Sequence, residues 1–292
     1  MKHAIATLSA LSLILMGLAV TSSPLHGATV IQDAVEWWAF EGNNTGAKGI
    51  NLSPVASTTA GLTPTVTPTF TTATGISAAD AGTSAIRLDG TTALKSNSTS
   101  LRIGTAQTFW LRVNFSSVSG TMALMDRSRA VNGQRGISLQ MTDGHLAGYA
   151  SSDGTTYEAQ LYSTSSYTLL ANTWYDVALR YDPSNELRID LYDPTTGLLL
   201  QSRVLTTNVP AQISTASGIG SGYFQIGSLN NGSSGSAFVM PDGSMIEAAG
   251  VWNRYLSDAE LASLSAAPEP ATLSMLLFSG TLGTLLFRKK SR

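Results

Sequence analysis

The sequence predicts an all-β fold, an antiparallel two-sheet jelly-roll sandwich, on three observations. Many short segments alternate apolar and polar residues, which is the pattern of strands with one face in a core. Turn sequences rich in Asp, Pro and Gly separate these segments at short intervals. Very few segments have the apolar period of a helix. A sandwich of this class reaches about 200–250 residues, so we predict one domain, residues 29–266, in the 292-residue chain.

The first 28 residues have the composition of a secretory signal peptide. Met1-Lys2-His3 gives a short basic start, residues 4–20 are uncharged and mostly apolar, and small and polar residues follow up to Ala28. This pattern predicts export, with small residues near Ser22 and near Ala28 offering two cleavage sites. A retained membrane helix is the alternative. Because the chain has no cysteine, the core and not disulfides must stabilise the exported domain.

The clearest element is a hairpin within residues 171–193. Its strands alternate apolar and polar residues on either side of the turn Asp182-Pro183-Ser184-Asn185. The apolar set predicted to face the core is Val177, Leu179, Tyr181, Leu187, Ile189 and Leu191. We expect the other face of this antiparallel hairpin to be solvated.

Further strands are predicted on both sides of the hairpin. The segments are 35–40, 85–90, 109–115, 137–141, 146–150, 198–205, 224–226 and 246–252, with a turn at Asp143-Gly144. The Thr-rich segment 58–74 contains two prolines, which favours a long loop or an edge segment. Ser257 and Glu260 match a capping box, so a short helix is predicted to begin there.

Five short pieces of the chain occur in a characteristic order. They are AIRLDG, TFWLRVNF, NTWYDVALRYDP, GYFQIGS and MIEAAGVWNRYLSDAEL. The set covers roughly residues 29–266 and resembles the laminin G-like, concanavalin A-like sandwich family of bacterial extracellular proteins. The resemblance implies two antiparallel sheets packed face to face. The chain departs from the family where Asp-Glu often precedes the last strand, because it has Ile246-Glu247-Ala248 there.

The last 26 residues, 267–292, form a three-part tail. The motif Pro268-Glu269-Pro270 is followed by a mainly apolar stretch, 271–287, and by a basic cluster, Arg288, Lys289, Lys290 and Arg292. The apolar stretch is at the lower limit for a transmembrane helix, and the basic cluster should stay cytoplasmic. The tail resembles the PEP-CTERM sorting signal of Gram-negative bacteria. That resemblance implies an inner-membrane intermediate, cleavage by an exosortase-type protease, and a final place at the cell surface or in the extracellular matrix; a plain tail anchor is the alternative.

Charge is distributed unevenly along the chain. The stretch between signal peptide and tail holds 18 of the 19 acidic residues and 12 of the 17 basic ones, a net charge of −6. This acidic domain lacks the basic footprint of a nucleic-acid-binding protein, so we expect no nucleic-acid partner.

The sequence offers little for catalysis. After cleavage at Ala28, His145 is the only histidine, and a lone histidine beside a turn is typical of solvated surface. There is no Cys nucleophile and no His cluster for zinc. A retaining glycosidase needs two carboxylates about 5–5.5 Å apart, and the nearest candidate, residues 186–193, lacks the Glu-x-Asp-x-x-Glu order. We therefore predict a protein that is not an enzyme, with Asp190 on a solvated outer face.

The loop carboxylates make a calcium site at the rim of the sandwich a second hypothesis. The family resemblance implies that such domains often hold one Ca²⁺ there, and this hard cation needs several oxygen ligands. The rim candidates are Asp143, Asp153, Asp182 and Asp193. Because Asp in a turn usually caps its own backbone, capping is the competing interpretation for each of them.

Aromatic residues at outward strand positions are candidates for stacking on sugar rings. Trp110 alternates with the inward residues of its strand, which are Phe109, Leu111, Val113 and Phe115. Tyr192 lies on the outer side of the hairpin, so Trp110 and Tyr192 are the ligand-binding candidates. Trp38, Tyr149 and Tyr162 are further aromatics for which an outward position is considered. Packing in the core or at an edge is the competing interpretation for each ring.

Three function classes remain. The first, which we favour, is an exported non-catalytic surface or matrix protein that binds a polysaccharide or a surface protein. The second is a glycan-cleaving enzyme on the same fold, and the third is a purely structural surface protein.

Overall fold

The computed structural model describes residues 29–56, 69–72, 84–128, 133–163, 167–215, 223–230 and 236–265. In chain order the strands are β1 (Glu36–Trp38), β2 (Ser53–Ala56), β3 (Thr69–Thr72), β4 (Ser84–Arg87), β5 (Thr92–Ser96), β6 (Gln107–Asn114), β7 (Thr121–Arg127), β8 (Ile137–Thr142), β9 (His145–Ala150), β10 (Ala159–Tyr162), β11 (Trp174–Asp182), β12 (Glu186–Asp193), β13 (Leu198–Leu205), β14 (Phe224–Ile226), β15 (Leu229–Asn230), β16 (Ser236–Ala237) and β17 (Met245–Trp252). A 3₁₀ helix, Thr99–Leu101, follows β5, and helix α1 (Asp258–Ser265) follows β17.

The strands form two large antiparallel sheets. The larger sheet has the order β13-β12-β11-β6-β17-β4-β3, with β1 paired to the second half of β17. The smaller sheet has the order β10-β9-β8-β7-β14-β5-β2, and β15 and β16 form a separate hairpin. These two sheets enclose one large apolar cluster, which confirms the predicted all-β, two-sheet sandwich.

The core lies between the inner faces of the two sheets. The predicted inward residues of segment 109–115 and of the β11–β12 hairpin all lie in it and are at most 2% exposed. Ile137, Leu139 and Met141 of β8 meet them from the smaller sheet. Removing this apolar surface from water is the main favourable term in folding. Local alternation was therefore sufficient to identify the core face of these strands.

The predicted turns are also confirmed. Between β11 and β12, the Asn185 amide donates to the Asp182 carbonyl oxygen at 3.1 Å. Asp143 and Gly144 join β8 to β9 with φ values of 48° and 78°, which is the pair of positive angles that a two-residue type I′ hairpin requires. Of the Thr-rich segment 58–74, residues 69–72 form β3 at one edge of the larger sheet, as predicted; the rest of the segment lies outside the described residues.

The outer face of the larger sheet is covered, so the prediction that the β11–β12 hairpin has a solvated face is wrong. Helix α1 and residues 30–34 contribute to a second apolar cluster on this face, together with Trp37 and Trp252. Trp110 stacks on Trp37 with 5.1 Å between ring centroids. Trp110 is 1% exposed and Tyr192 is 2% exposed. Both rings point outward but are packed, so neither can stack on a ligand, and their selection as binding residues was incorrect.

Buried ion pairs accompany this cluster. Arg180 Nη2 lies 2.6 Å from Asp190 Oδ2 and 2.6 Å from Asp258 Oδ1 at the start of α1. Arg180 Nη1 also donates to the Leu256 carbonyl oxygen at 2.7 Å. Asp190 is fully buried, so its expected solvated position is wrong as well. The cause is again that helix α1 and residues 30–34 cover this face. The alternation of residues along a strand does not reveal such a cover.

Helix α1 begins as the capping box predicts. The Glu260 amide donates to Ser257 Oγ at 3.3 Å, and the Ser257 amide donates to Glu260 Oε2 at 2.7 Å. These two bonds satisfy amides that would otherwise lack partners at the helix start.

Both predicted targeting segments, residues 1–28 and 267–292, lie outside the described residues. The motif Pro268-Glu269-Pro270 and the basic cluster are among them. Within the part of the chain that is described, no helix is long and apolar enough to span a membrane.

Candidate functional site

A row of polar side chains crosses the outer face of the smaller sheet. The pairing register places one residue of each strand in the row, and neighbouring members are direct cross-strand partners. In order from β2 to β10 the members are Ser53, Lys95, Gln225, Asp126, Ser138, Tyr149 and Gln160. At about 4.8 Å between neighbouring strands, the row is about 29 Å long. We call it the polar row.

The polar row is buried in the middle and open at both ends, with Ser53 and Lys95 at the β2 end and Tyr149 and Gln160 at the β10 end. Gln225, Asp126 and Ser138 are at most 4% exposed. Tyr149 is half-buried and Gln160 is exposed. A ligand can therefore reach the row at β9 and β10, where its members are uncharged.

Three tyrosine rings gather at this open end, and we call them the tyrosine face: Tyr149, Tyr157 and Tyr162. Tyr149 lies between the other two, with ring centroids 5.1 Å from Tyr157 and 5.8 Å from Tyr162. The Tyr149 and Tyr162 rings are nearly perpendicular, at 88°, which is a favoured arrangement of aromatic pairs. Tyr162 is 53% exposed. The cluster thus presents an apolar ring surface to solvent with hydroxyl groups at its margin.

The hydroxyl groups of this face form a directed chain of hydrogen bonds. The Tyr149 hydroxyl donates to the Tyr162 hydroxyl at 3.3 Å, and the Tyr162 hydroxyl donates to Gln160 Oε1 at 3.2 Å. Gln160 Nε2 donates to the Tyr157 carbonyl oxygen at 3.1 Å. Burial raises the pKa of the Tyr149 hydroxyl, and the bond to Tyr162 raises it further, so Tyr149 stays protonated in any physiological condition.

Tyr157 is held at its hydroxyl group and over its ring. Its hydroxyl lies 2.7 Å from Ser128 Oγ, and the Arg135 guanidinium lies over the ring at 5.2 Å from its centroid. Burial raises the pKa of the Tyr157 hydroxyl, as does the nearby charge of Asp126. Arg135 Nη1 donates to the Thr155 carbonyl oxygen at 2.5 Å. This cation is therefore already engaged by the backbone of the loop that carries Tyr157.

The loop between β9 and β10 owes its shape to Asp153. Asp153 Oδ1 accepts from the Thr155 amide at 2.7 Å and from the Thr156 amide at 3.1 Å, which is an Asx-type turn. Glu158 closes the loop by accepting from the Ser152 amide at 3.0 Å. Tyr157 is placed beside Tyr149 by these local bonds.

A separate cavity lies at the end of the larger sheet, between β11 and the β12–β13 turn. Its volume is about 380 Å³. The lining residues are Tyr167, Asn172, Thr173, Trp174, Tyr175, Asp193, Thr195 and Leu200. Burial, together with a hydrogen bond to Tyr175, raises the pKa of Tyr167 to about 12. The cavity is large enough for a small ligand, but its carboxylate, Asp193, is already used by the Thr195 amide and hydroxyl of its own turn.

The edge strand β13 next to this cavity is unusually apolar on its exposed side. Leu198 is 64% exposed and Leu199 is 45% exposed, and Leu200 and Val204 are also open to solvent. An open edge with exposed apolar residues is a place where another strand can pair.

The four carboxylates predicted as calcium ligands sit in four different turns, and each accepts a hydrogen bond from the protein. Asp143 accepts from the Gly120 amide at 2.7 Å, and Asp182 accepts from Asn185 Nδ2 at 2.7 Å. Asp193 accepts from the Thr195 amide at 2.8 Å, and Asp153 acts as described above. Throughout the described ranges, no three His, Cys, Asp or Glu side chains come together as a metal site would need. Turn capping accounts for Asp153, Asp182 and Asp193, whereas Asp143 holds the loop before β7 through the Gly120 amide.

Of the remaining sequence candidates, His145 and Trp38 fall outside the tyrosine face, and Tyr149 and Tyr162 belong to it. His145 begins β9 and is half-buried. Trp38 is fully buried in the main core, whereas Tyr149 and Tyr162 do face outward. Tyr157 was missed because it lies in a loop, where alternation along a strand says nothing about direction. The motif Ser151-x-Asp153-x-Thr155 was the local signal for the turn that places it.

A family model matches residues 71–231, more than half of the chain, and its description is SO2946-like, C-terminal domain. The chain belongs to this SO2946-like family. The matched range contains the whole tyrosine face. Helix α1 and residues 30–34, which cover the larger sheet, lie outside the range that defines the SO2946-like domain.

Solved structures show the same sandwich fold at low sequence identity. Domain 4 of AbnA, a GH43 extracellular arabinanase from Geobacillus stearothermophilus, in complex with arabinotriose, has a TM-score of 0.54 and 11% identity, over 80% of this chain and 98% of that one. The receptor binding domain of botulinum neurotoxin mosaic serotype C/D has a TM-score of 0.51 and 12% identity. That match covers 81% of this chain and 51% of the toxin domain, so the SO2946-like chain corresponds to about half of it. No curated protein sequence matches the chain.

Proposed function

We propose that this is an exported, non-catalytic glycan-binding protein whose tyrosine face is the binding surface. The observation that carries the proposal is the placement of Tyr157 and Tyr162 with ring centroids within 6 Å of the Tyr149 centroid, at the β10 end of the polar row. Rings of this kind offer an apolar surface for the faces of sugar rings, and their hydroxyl groups offer hydrogen bonds to sugar hydroxyls.

The chemistry of the surrounding residues supports a saccharide ligand. Gln160 and Ser138 flank Tyr149 on the neighbouring strands as direct cross-strand partners. Small-molecule sites usually combine an aromatic surface with a few well-placed polar groups. The arabinanase domain of the same fold was determined with arabinotriose bound, which adds support by analogy of fold.

Binding without catalysis is supported by the state of two strand carboxylates, Asp190 and Glu36. Asp190 is paired with Arg180 and Arg188 under α1 and is closed to solvent. Glu36 is fully buried and accepts from the amides of Trp37, Lys48 and Ile50. Neither carboxylate lies on the tyrosine face, so neither is placed to act on a saccharide bound there.

Export and sorting form part of the proposal and rest on the terminal sequences. We assign residues 1–28 as a cleaved signal peptide and residues 267–292 as a PEP-CTERM tail handled by an exosortase-type protease. The mature protein would then reach the cell surface or extracellular matrix of a Gram-negative bacterium after an inner-membrane stage. Because the domain has no cysteine, it needs no disulfide formation after export.

A surface protein as the ligand is the second candidate, favoured by the apolar edge of β13. An extended peptide that adds a strand to this edge would bury Leu198 and Leu199. This candidate predicts that the tyrosine face is not needed for binding.

The experiment is isothermal titration calorimetry of the full-length chain against a panel of polysaccharides, in a detergent that has no sugar headgroup. Tyr149→Ala and Tyr162→Ala should each lower the affinity about ten-fold or more, as buried aromatic contacts do at binding sites. Tyr167→Ala, in the separate cavity, is the matched control and should bind as the parent does. No new reducing ends should appear. The proposal fails if no polysaccharide binds, or if both tyrosine variants bind like the parent.

A further inference from the structure

We infer that the glycan is a neutral, hydroxyl-rich polymer and not a polyanion such as a polyuronate or a sulfated glycan. The inference rests on the proposed function and concerns the same site. It follows from the direction of the hydrogen bonds at the tyrosine face and from the placement of charge around it.

The first step concerns hydroxyl donors. A tyrosine hydroxyl has one hydrogen to donate and lone pairs to accept with. The Tyr149 hydrogen is used on Tyr162, and the Tyr162 hydrogen is used on Gln160 Oε1. Both hydroxyl oxygens at the open margin are therefore left with acceptor capacity and no free hydrogen.

The second step concerns which ligand groups the Tyr149 and Tyr162 hydroxyl oxygens can bind. Sugar hydroxyls can donate into oxygen acceptors, so a neutral glycan completes the chain of hydrogen bonds. Carboxylate and sulfate groups are acceptors only, so against Tyr149 and Tyr162 they would place oxygen against oxygen. A polar group left without its partner in this way weakens binding strongly, which is the basis of discrimination at hydrogen-bonding sites.

The third step concerns charge. The row members nearest the rings, Ser138 and Gln160, are uncharged, and Asp126 is the next member beyond Ser138. Arg135 is the cation that lies against the cluster in the described part of the chain, and its guanidinium is held over the Tyr157 ring by a hydrogen bond to the Thr155 carbonyl oxygen. The domain as a whole carries a net charge of −6, which repels polyanions at low ionic strength.

The experiment compares neutral polymers (arabinan, xylan and β-glucan) with polygalacturonate, alginate and dextran sulfate by calorimetry of the full-length chain at 20 and 200 mM NaCl. For any polyuronate that binds, the carboxyl-reduced form of the same polymer is the matched ligand. We expect neutral polymers to bind with little salt dependence, and each carboxyl-reduced polymer to bind about ten-fold or more tightly than its parent. An anionic polymer that binds more tightly than its reduced form, with binding that weakens in salt, would overturn the inference and leave glycan binding intact.

A variant tests the hydrogen-bond chain itself. Tyr162→Phe keeps the ring but removes the acceptor of the Tyr149 hydrogen, so the Tyr149 hydroxyl becomes free to donate outward. The ratio of neutral to anionic affinity should fall about three-fold or more, while Tyr167→Phe in the separate cavity should leave the ratio unchanged. An unchanged ratio in Tyr162→Phe would overturn the role assigned to this chain. If no polymer binds the parent protein, the proposed function fails, and the inference fails with it.

Discussion

Arg112 and Asp176 are direct partners across β6 and β11 and form a two-point ion pair beneath helix α1. Arg112 Nε lies 2.7 Å from Asp176 Oδ1, and Nη2 lies 2.9 Å from Oδ2. Arg112 also reaches Glu247 at 3.3 Å and the carbonyl oxygen of Ser265, the last residue of α1, at 3.0 Å. One buried guanidinium thus joins three strands of the larger sheet to the end of the helix that covers them.

Asp176→Ala should lower the free energy of unfolding by about 3–5 kcal/mol, because it leaves part of the buried Arg112 charge without compensation. Urea denaturation followed by tryptophan fluorescence measures the change. Asp242→Ala is the control: its ion pair with Arg87 has a similar distance, 3.2 Å, but both side chains are largely exposed, so the loss should stay below about 1 kcal/mol. Equal losses in the two variants would show that burial does not determine how much the Arg112–Asp176 ion pair contributes to the free energy of unfolding.

A second prediction concerns the contact between Gly148 of β9 and Leu179 of β11 across the core. A Cβ at Gly148 would lie 2.6 Å from Leu179 Cδ1 and 3.3 Å from Ile189 Cδ1. Gly148→Ala should therefore destabilise the protein by about 1–3 kcal/mol through overpacking, and Leu179→Ala by about 2–5 kcal/mol through a cavity.

The double variant is the decisive measurement for this contact. In Gly148→Ala with Leu179→Ala, the added methyl group enters the space that the leucine leaves, so the loss should be smaller than the sum of the single losses. Leu198→Ala, at a site that is 64% exposed, is the control and should change stability by no more than about 0.5 kcal/mol. Strict additivity would contradict the predicted contact.

The sequence predicted those features that depend on neighbours along the chain. Alternation over residues 109–115 identified the inward face, and Asp143-Gly144 identified a hairpin, because period and turn preference act within a few residues. The cover of the larger sheet was not predictable in this way. Arg180 meets the Leu256 carbonyl oxygen 76 residues later, and nothing in the alternation of β11 distinguishes a polar face under a helix from one in water.

In the candidate site, too, the features set by neighbouring residues were predictable and those set by distant segments were not. The outward positions considered for Tyr149 and Tyr162 proved correct, while the outward Trp110 is closed off by a segment far away in sequence. The polar row depends on the register of seven strands, for example Asp126 opposite Ser138 and Ser138 opposite Tyr149. Register arises from the packing of the whole sheet, so no single segment encodes the row.

A third prediction concerns acid stability at the start of α1. Burial alone would raise the pKa of Glu260, but hydrogen bonds from Ser257 and from the Arg254 guanidinium outweigh it and hold the pKa below its ordinary value of 4.5. A carboxyl with a lowered pKa in the folded state stabilises the protein above the unfolded pKa, and this contribution is lost as the pH falls through the folded pKa.

Glu260→Gln should therefore lower the free energy of unfolding by about 1 kcal/mol at pH 7, the usual scale of a lost cap. The difference from the parent should shrink as the pH falls below about 4.5, where the parent carboxyl becomes protonated too. Urea titrations at pH 7, 4 and 3 give the comparison. A difference that is constant over this range would show that the charge of Glu260 contributes nothing to the helix start.

The last prediction concerns the sorting tail. Arg112 holds the carbonyl oxygen of Ser265, so two residues separate the end of α1 from Pro268. The prolines at 268 and 270 disfavour helix around Glu269 and favour extended chain, which is the backbone form a protease needs. We expect the mature protein to lack residues 271–292, because cleavage near Pro268-Glu269-Pro270 releases it from the membrane. Mass spectrometry of protein from a host that carries an exosortase-type protease measures the new C-terminus.

Replacing Pro268, Glu269 and Pro270 by Ala should leave the protein in the inner membrane with its tail uncut. The control replaces Ser263 by Ala and both Ala266 and Ala267 by Gly. It keeps the Pro-Glu-Pro motif and should be cleaved normally. If the parent protein retains residues 271–292 in the protease-containing host, the tail is a plain anchor. In that case the apolar stretch holds the domain at the membrane permanently, and the basic cluster from Arg288 to Arg292 keeps the end of the chain in the cytoplasm.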